Sequence, residues 1–122
     1  LLILQLINNT DRLSLVGESD SLLVEIFRFI EDNYVSGELS TLAEKMHFDL
    51  YWLSREIKRK TGKTYTELLQ EKRLSQATAL LKNTKMNISD VSYSVGYENI
   101  SYFHKIFTKT FGMSPKKYRD CN

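Results

Sequence analysis

Two stretches of the chain are copies of one pattern. A shift of 49 positions carries Leu39, Ser40, Leu42 and Phe48 onto Ile88, Ser89, Val91 and Tyr97. A shift of 50 carries Asp49, Leu53, Arg55, Ile57 and Gly62 onto Asn99, Phe103, Lys105, Phe107 and Gly112. A duplication restricts the fold to one that uses the same small unit twice. Each copy reads as a short helix, a turn of a few residues, and a second helix that is basic on its outer side, which is the plan of a helix-turn-helix. Two copies are fewer than a helical solenoid needs, and a long intervening helix is unlike tandem stacking.

Individual positions in the unit have physical reasons. Ala43 and Ser92 are small where the two helices of each copy would cross most closely. Gly96 falls where the turn asks for a positive φ, which glycine adopts without steric cost; the first copy has His47 there, a residue that visits the left-handed region more than most. Asp49 can cap the second helix of its copy, and Gly62 and Gly112 are C-terminal stops.

The remaining segments are also helical in pattern. Residues 21–35 place Leu23, Ile26, Phe27, Ile30 and Tyr34 on one face, with Asp20 or Ser21 as cap and Ser36-Gly37 as terminator. From about Thr64 to Lys82, Leu68, Leu69, Leu74, Ala77, Leu80 and Leu81 mark a helix of roughly 17 residues, about 25 Å long. Pro115 opens a short last helix. One Pro and five Gly in 122 residues leave little material for the turns of a β protein. The expected fold is all-α, with two helix-turn-helix subdomains joined by a long linker helix and about seven helices. The first unit spans about 21–63, the linker helix 64–83 and the second unit 87–120, within a domain of residues 21–122. Residues 1–20, which begin LLILQLI, read as the remnant of an upstream helix and an interdomain linker.

Several classes of function are disfavoured. A lone Cys121 supports neither a disulfide framework nor a cysteine metal site, which fits a reducing, cytoplasmic setting. LLILQLI is too short to span a bilayer, so no membrane association is expected. Two histidines, no glycine-rich phosphate loop and no paired metal ligands leave no set of groups to assign to catalysis, a metal or a cofactor.

Charge is unevenly placed. Residues 1–38 carry two basic and seven acidic side chains, residues 39–122 fifteen and eight, so the duplicated part is where a polyanion would be met. Residues 51, 54, 55 and 58 share a helical face distinct from Leu53 and Ile57; the equivalents are 101, 104, 105 and 108. Tyr51, Ser54 and Arg55, and Ser101, His104 and Lys105, suit the floor of a DNA major groove, where arginine or lysine meets guanine O6 and N7. Lys58, Arg59, Lys60, Lys63, Thr108 and Lys109 flank them and suit the backbone, which positions without reading sequence. A basic helix face is commonly a solvated surface, but here the same polar face recurs in both copies. Trp52 and Tyr102, also equivalent, read as wedges against neighbouring helices. The competing reading is a helical protein–protein interaction module that uses the same basic faces.

VGYENISYFHKIFTKTFGMSPKKYR, residues 95–119, together with LAEKM, LSREIKRKTGKTY and EKRLSQATALL, resembles the DNA-binding domain of AraC/XylS-type bacterial transcription regulators over about residues 21–119. Departures from that pattern are Asp49, Glu56, Ile57 and Ser92. The resemblance implies seven helices, two helix-turn-helix units and binding of double-stranded promoter DNA by one chain across two adjacent grooves. It places the base-reading positions on Tyr51, Ser54, Arg55, Ser101, His104 and Lys105. It further implies an upstream sensor, dimerisation or phospho-receiver domain, with RNA polymerase as a partner, and it leaves open whether the regulator activates or represses.

Overall fold

The computed structural model describes residues 18–121, and their regular structure is entirely helical. Seven helices follow one another: α1 (Glu18–Asn33), α2 (Leu39–Met46), α3 (Leu50–Thr61), α4 (Tyr65–Asn83), α5 (Ile88–Ser94), α6 (Ile100–Phe111) and α7 (Pro115–Asp120). The segment expected to be an upstream remnant lies, up to residue 17, outside the described residues.

The first helix departs from its expected form in two respects. It starts at Glu18, so Ser21 stands within the helix and is not its cap, and it ends at Asn33 rather than Val35. Its buried stripe is Leu22, Ile26, Phe29 and Ile30, whereas Leu23 is half-buried and Phe27 is 47% exposed. Both patterns obey helical spacing. The stripe centred on Ile26 wins because it is the one that meets the first core, and this rotation leaves Phe27 on the flank.

Two separate cores share one helix. Leu22, Ile26, Phe29 and Ile30 pack with Leu42, Ala43, Leu53, Ile57, Tyr65 and Leu68. Leu74, Ala77 and Leu81 pack with Val91, Val95, Tyr97, Phe103, Ile106 and Phe107. Tyr65 and Leu68 thus serve the first core and Leu74, Ala77 and Leu81 the second. At about 100° per residue these two sets point to roughly opposite sides of α4. With 19 residues α4 is about 28 Å long. A capping box fixes its start: the Glu67 amide donates to the Thr64 hydroxyl at 3.1 Å, and the Thr64 amide to the Glu67 carboxylate at 2.9 Å. Thr64 is therefore the cap of the linker helix and not its first turn.

The duplication extends to hydrogen bonds. In the first turn the amides of His47 and Phe48 donate to the carbonyls of Glu44 and Ala43, at 3.2 and 2.9 Å. In the second, Gly96 and Tyr97 donate to Tyr93 and Ser92, at 3.1 and 3.0 Å. Both turn residues have positive φ, 61° at His47 and 111° at Gly96. Ala43 and Ser92 are both buried, and the Ser92 hydroxyl adds a donation to the Tyr97 carbonyl at 3.0 Å.

Candidate nucleic-acid interface

Helices α3 and α6 are built alike. Each has 12 residues, begins on a side-chain cap and ends on a left-handed glycine. The Trp52 amide donates to the Asp49 carboxylate at 2.9 Å, and the Tyr102 amide to the Asn99 side-chain oxygen at 3.0 Å. Gly62 and Gly112, at φ 79° and 75°, return their amides to the carbonyls of Lys58 and Thr108. Leu53 and Ile57 anchor α3 inward; Phe103, Ile106 and Phe107 anchor α6. Phe111 is half-buried against the second core.

With the inner faces fixed, the outer ones are determined. On α3, Tyr51 is 71% exposed, and Ser54, Arg55 and Lys58 are exposed beside it. On α6, Ser101, Lys105, Thr108 and Lys109 are exposed, while His104 is half-buried with its ring edge-on to Phe103. The structure thus brings each expected set together on one solvent-facing surface. Trp52 and Tyr102 remain 38% and 44% exposed. Trp52 lies on Phe48 of the preceding turn at 5.0 Å between ring centroids, and Tyr102 lies at 6.0 Å from Tyr97, which occupies the position equivalent to Phe48, while the Tyr102 hydroxyl meets the neighbouring α4.

The two faces differ in electrostatics. Around α3 the cations are partly neutralised: Glu56 accepts from Arg59 at 2.8 and 3.2 Å and stands 3.8 Å from Lys60, while Lys63 pairs with Glu71. The Arg59 hydrogen bond holds the Glu56 carboxyl below the usual carboxylate range, so it stays charged. Lys58 donates to the Gly62 carbonyl at 3.1 Å. On α6, Lys105 and Lys109 make no ion pair among the described residues. Of the expected phosphate contacts, Lys58, Arg59 and Lys63 must exchange an internal partner for a phosphate, whereas Lys109 need not. Such surface pairings are weak in water and screened by salt, so the exchange is a modest cost.

Sequence reasoning missed the residues that tie the two units together. Gln70, on α4, donates to the Tyr102 hydroxyl at 3.0 Å and so braces α6. Ser54, Arg73 and Glu98 line one cleft of about 550 Å³, which puts the outer face of α3 near the loop that enters α6. Among the described residues no group of three or more His, Cys, Asp or Glu side chains is arranged to hold a metal ion, and no helix is long and apolar enough to cross a membrane.

Comparison with known proteins bears on the same region. A family model described as a helix-turn-helix domain matches residues 42–120. The chain is 36% identical over 103 residues to histidine kinase P4 of Formosa agariphila, covering 83% of this chain and 8% of that protein. It is 32% identical over 96 residues to the HTH-type transcriptional activator RhaS of Mannheimia succiniciproducens, covering 78% of this chain and 36% of that one. Against solved structures, it matches the C-terminal domain of the two-component response regulator yesN from Fusobacterium nucleatum with a TM-score of 0.72 and 32% identity, over 77% of this chain and 93% of that one. The chain therefore spans well under two thirds of the length of these curated relatives.

Proposed function

This chain belongs to the AraC/XylS family of helix-turn-helix transcription regulators, and we propose that it binds promoter DNA as a single chain, with α3 and α6 in adjacent major grooves. The observation that carries this is the equivalence of the two helices: equal length, a side-chain cap, a glycine stop and a polar outer face on each, mounted on opposite sides of one rod. Major grooves on one side of B-DNA recur about every 34 Å. A rod of about 28 Å with a helical unit at each end suits that span.

In this reading Arg55 and Lys105 meet guanine O6 and N7, and Tyr51, Ser54, Ser101 and His104 complete the base-reading edges. Lys58, Arg59, Lys63, Thr108 and Lys109 hold phosphates. α6, whose Lys105 and Lys109 make no ion pair among the described residues, anchors electrostatically, and α3, tempered by Glu56, contributes relatively more selectivity. Such a domain works in the cytoplasm at a promoter, beside RNA polymerase, and takes its signal from a sensor, dimerisation or receiver domain elsewhere in the same protein.

Titrating duplex DNA at several salt concentrations tests this. Each neutralised phosphate lowers the slope of log affinity against log salt by about 0.9, so a steep fall with a slope reflecting several contacts is the expected result. A flat response, or no binding at low salt, would instead favour a module whose basic faces meet another protein.

A further inference from the structure

Arg73 is the joint between the two units. It sits on α4 between the two cores, and its guanidinium joins the chain just after α1 to the turn of the second unit. Nε donates to the Tyr34 carbonyl at 2.6 Å and Nη2 to the Val35 carbonyl at 3.1 Å. These carbonyls lie just beyond the end of α1, where unpaired acceptors and the negative end of the helix dipole favour a cation. The other side of the guanidinium belongs to the second unit: its carbon lies 5.2 Å from the centroid of the buried Tyr97 ring. Gly96 closes the contact. A side-chain carbon there would come within 2.7 Å of the Val35 carbonyl and 2.8 Å of Arg73 Nε, so the second turn packs directly on the first unit's backbone.

We propose that Arg73 is a positioning residue for two-groove binding: it fixes the angle between the helix-turn-helix units and thereby selects the spacing of the two half-sites. The chemistry asks for arginine in particular. A planar fork donates along two fixed directions and offers a flat face to an aromatic ring, so it constrains rotation as well as distance. An ammonium group can donate to the same carbonyls, but as a rotating point charge it fixes no plane and offers the ring no flat face. Lys72 and Gln76 add to the same seam, Lys72 pairing with Glu31 at 2.8 Å and Gln76 donating to the Tyr34 hydroxyl at 3.3 Å, but neither makes a hydrogen bond or ion pair to the second unit's turn among the described residues. When two binding modules are linked, the gain from engaging both is lost if geometry forbids simultaneous contact. The joint therefore governs binding to the paired site and leaves each half-site alone.

The consequence for DNA rests on the proposed function; the joint itself does not, and the test separates them. Spin labels at Glu44→Cys and Ser89→Cys, one exposed position on each unit, in a Cys121→Ser background, report the inter-unit distance without DNA. Arg73→Lys and Arg73→Met are compared with the parent, and circular dichroism establishes that each is folded. The parent should give one narrow distance distribution and both variants a broad one. On a duplex selected from a random library, one inserted base pair between half-sites should weaken the parent about tenfold and the variants only about twofold, with half-site affinities unchanged. Folded variants that keep the narrow distribution, or the parent's full spacing preference, overturn the proposal. Broadened distances with no duplex bound by the parent would uphold the joint and remove the DNA reading.

Discussion

Phe107→Ala is expected to unfold the second unit while leaving the first standing. Phe107 is fully buried and packs against Phe103 at 5.6 Å, Phe111 at 4.5 Å and Tyr118 at 5.5 Å, ring centroid to centroid. Truncating such a ring costs about 3–5 kcal/mol, from lost burial and the cavity left behind. A domain of this size has only about 5–15 kcal/mol in total. The two cores have no buried residue in common, so the loss falls on α5, α6, α7 and the C-terminal half of α4. Hydrogen exchange should show protection gone from those helices and kept in α2 and α3, and thermal melting should separate into two steps. One cooperative melt, shifted as a whole, would mean that the shared helix and the Arg73 joint bind the units into a single folding unit.

Arg55→Ala should leave stability unchanged and selectively weaken binding to the preferred DNA site. Arg55 is exposed and makes no hydrogen bond or ion pair among the described residues, so its removal opens no cavity and strands no partner. Losing a bidentate contact to guanine costs about 1–3 kcal/mol, or about 5- to 150-fold in affinity. The loss should be confined to duplexes with guanine at one position, and discrimination there should relax. Lys109→Ala is the control: as a phosphate contact it should weaken all sequences alike and lower the salt slope by about one unit. Should Arg55→Ala weaken every duplex equally, Arg55 belongs with Lys109.

The parts of the fold set by local chemistry were legible in the sequence. Gly62, Gly96 and Gly112 mark positions of positive φ, Asp49 marks a cap, and the offset between copies marks a short helix, a turn and a second helix in each, all of which the structure has. Parts decided by packing between distant segments were not. In α1, Phe27 and Leu23 keep helical spacing as well as the true stripe does, and only the position of the partner helices chooses between them. The joint was hidden because Arg73 meets carbonyls 38 and 39 residues away, and backbone acceptors leave no trace in side-chain pattern. Lys63 and Glu71 were hidden for another reason: they lie eight residues apart across a helix start, outside the three- and four-residue spacing that pairs side chains on one helix. Of the candidate interface, the side chains that face outward were readable, since those that face inward are apolar; how many cations already hold an internal partner was not.

Methylation interference and hydroxyl-radical footprinting on a selected duplex test the central claim most directly. Insertion of α3 and α6 into adjacent grooves predicts two interference patches at guanine N7, on one face of the duplex and about 10 base pairs apart. Arg55→Ala should erase one patch and Lys105→Ala the other. A single patch that both variants affect, or backbone protection without any guanine interference, would contradict reading by two helices.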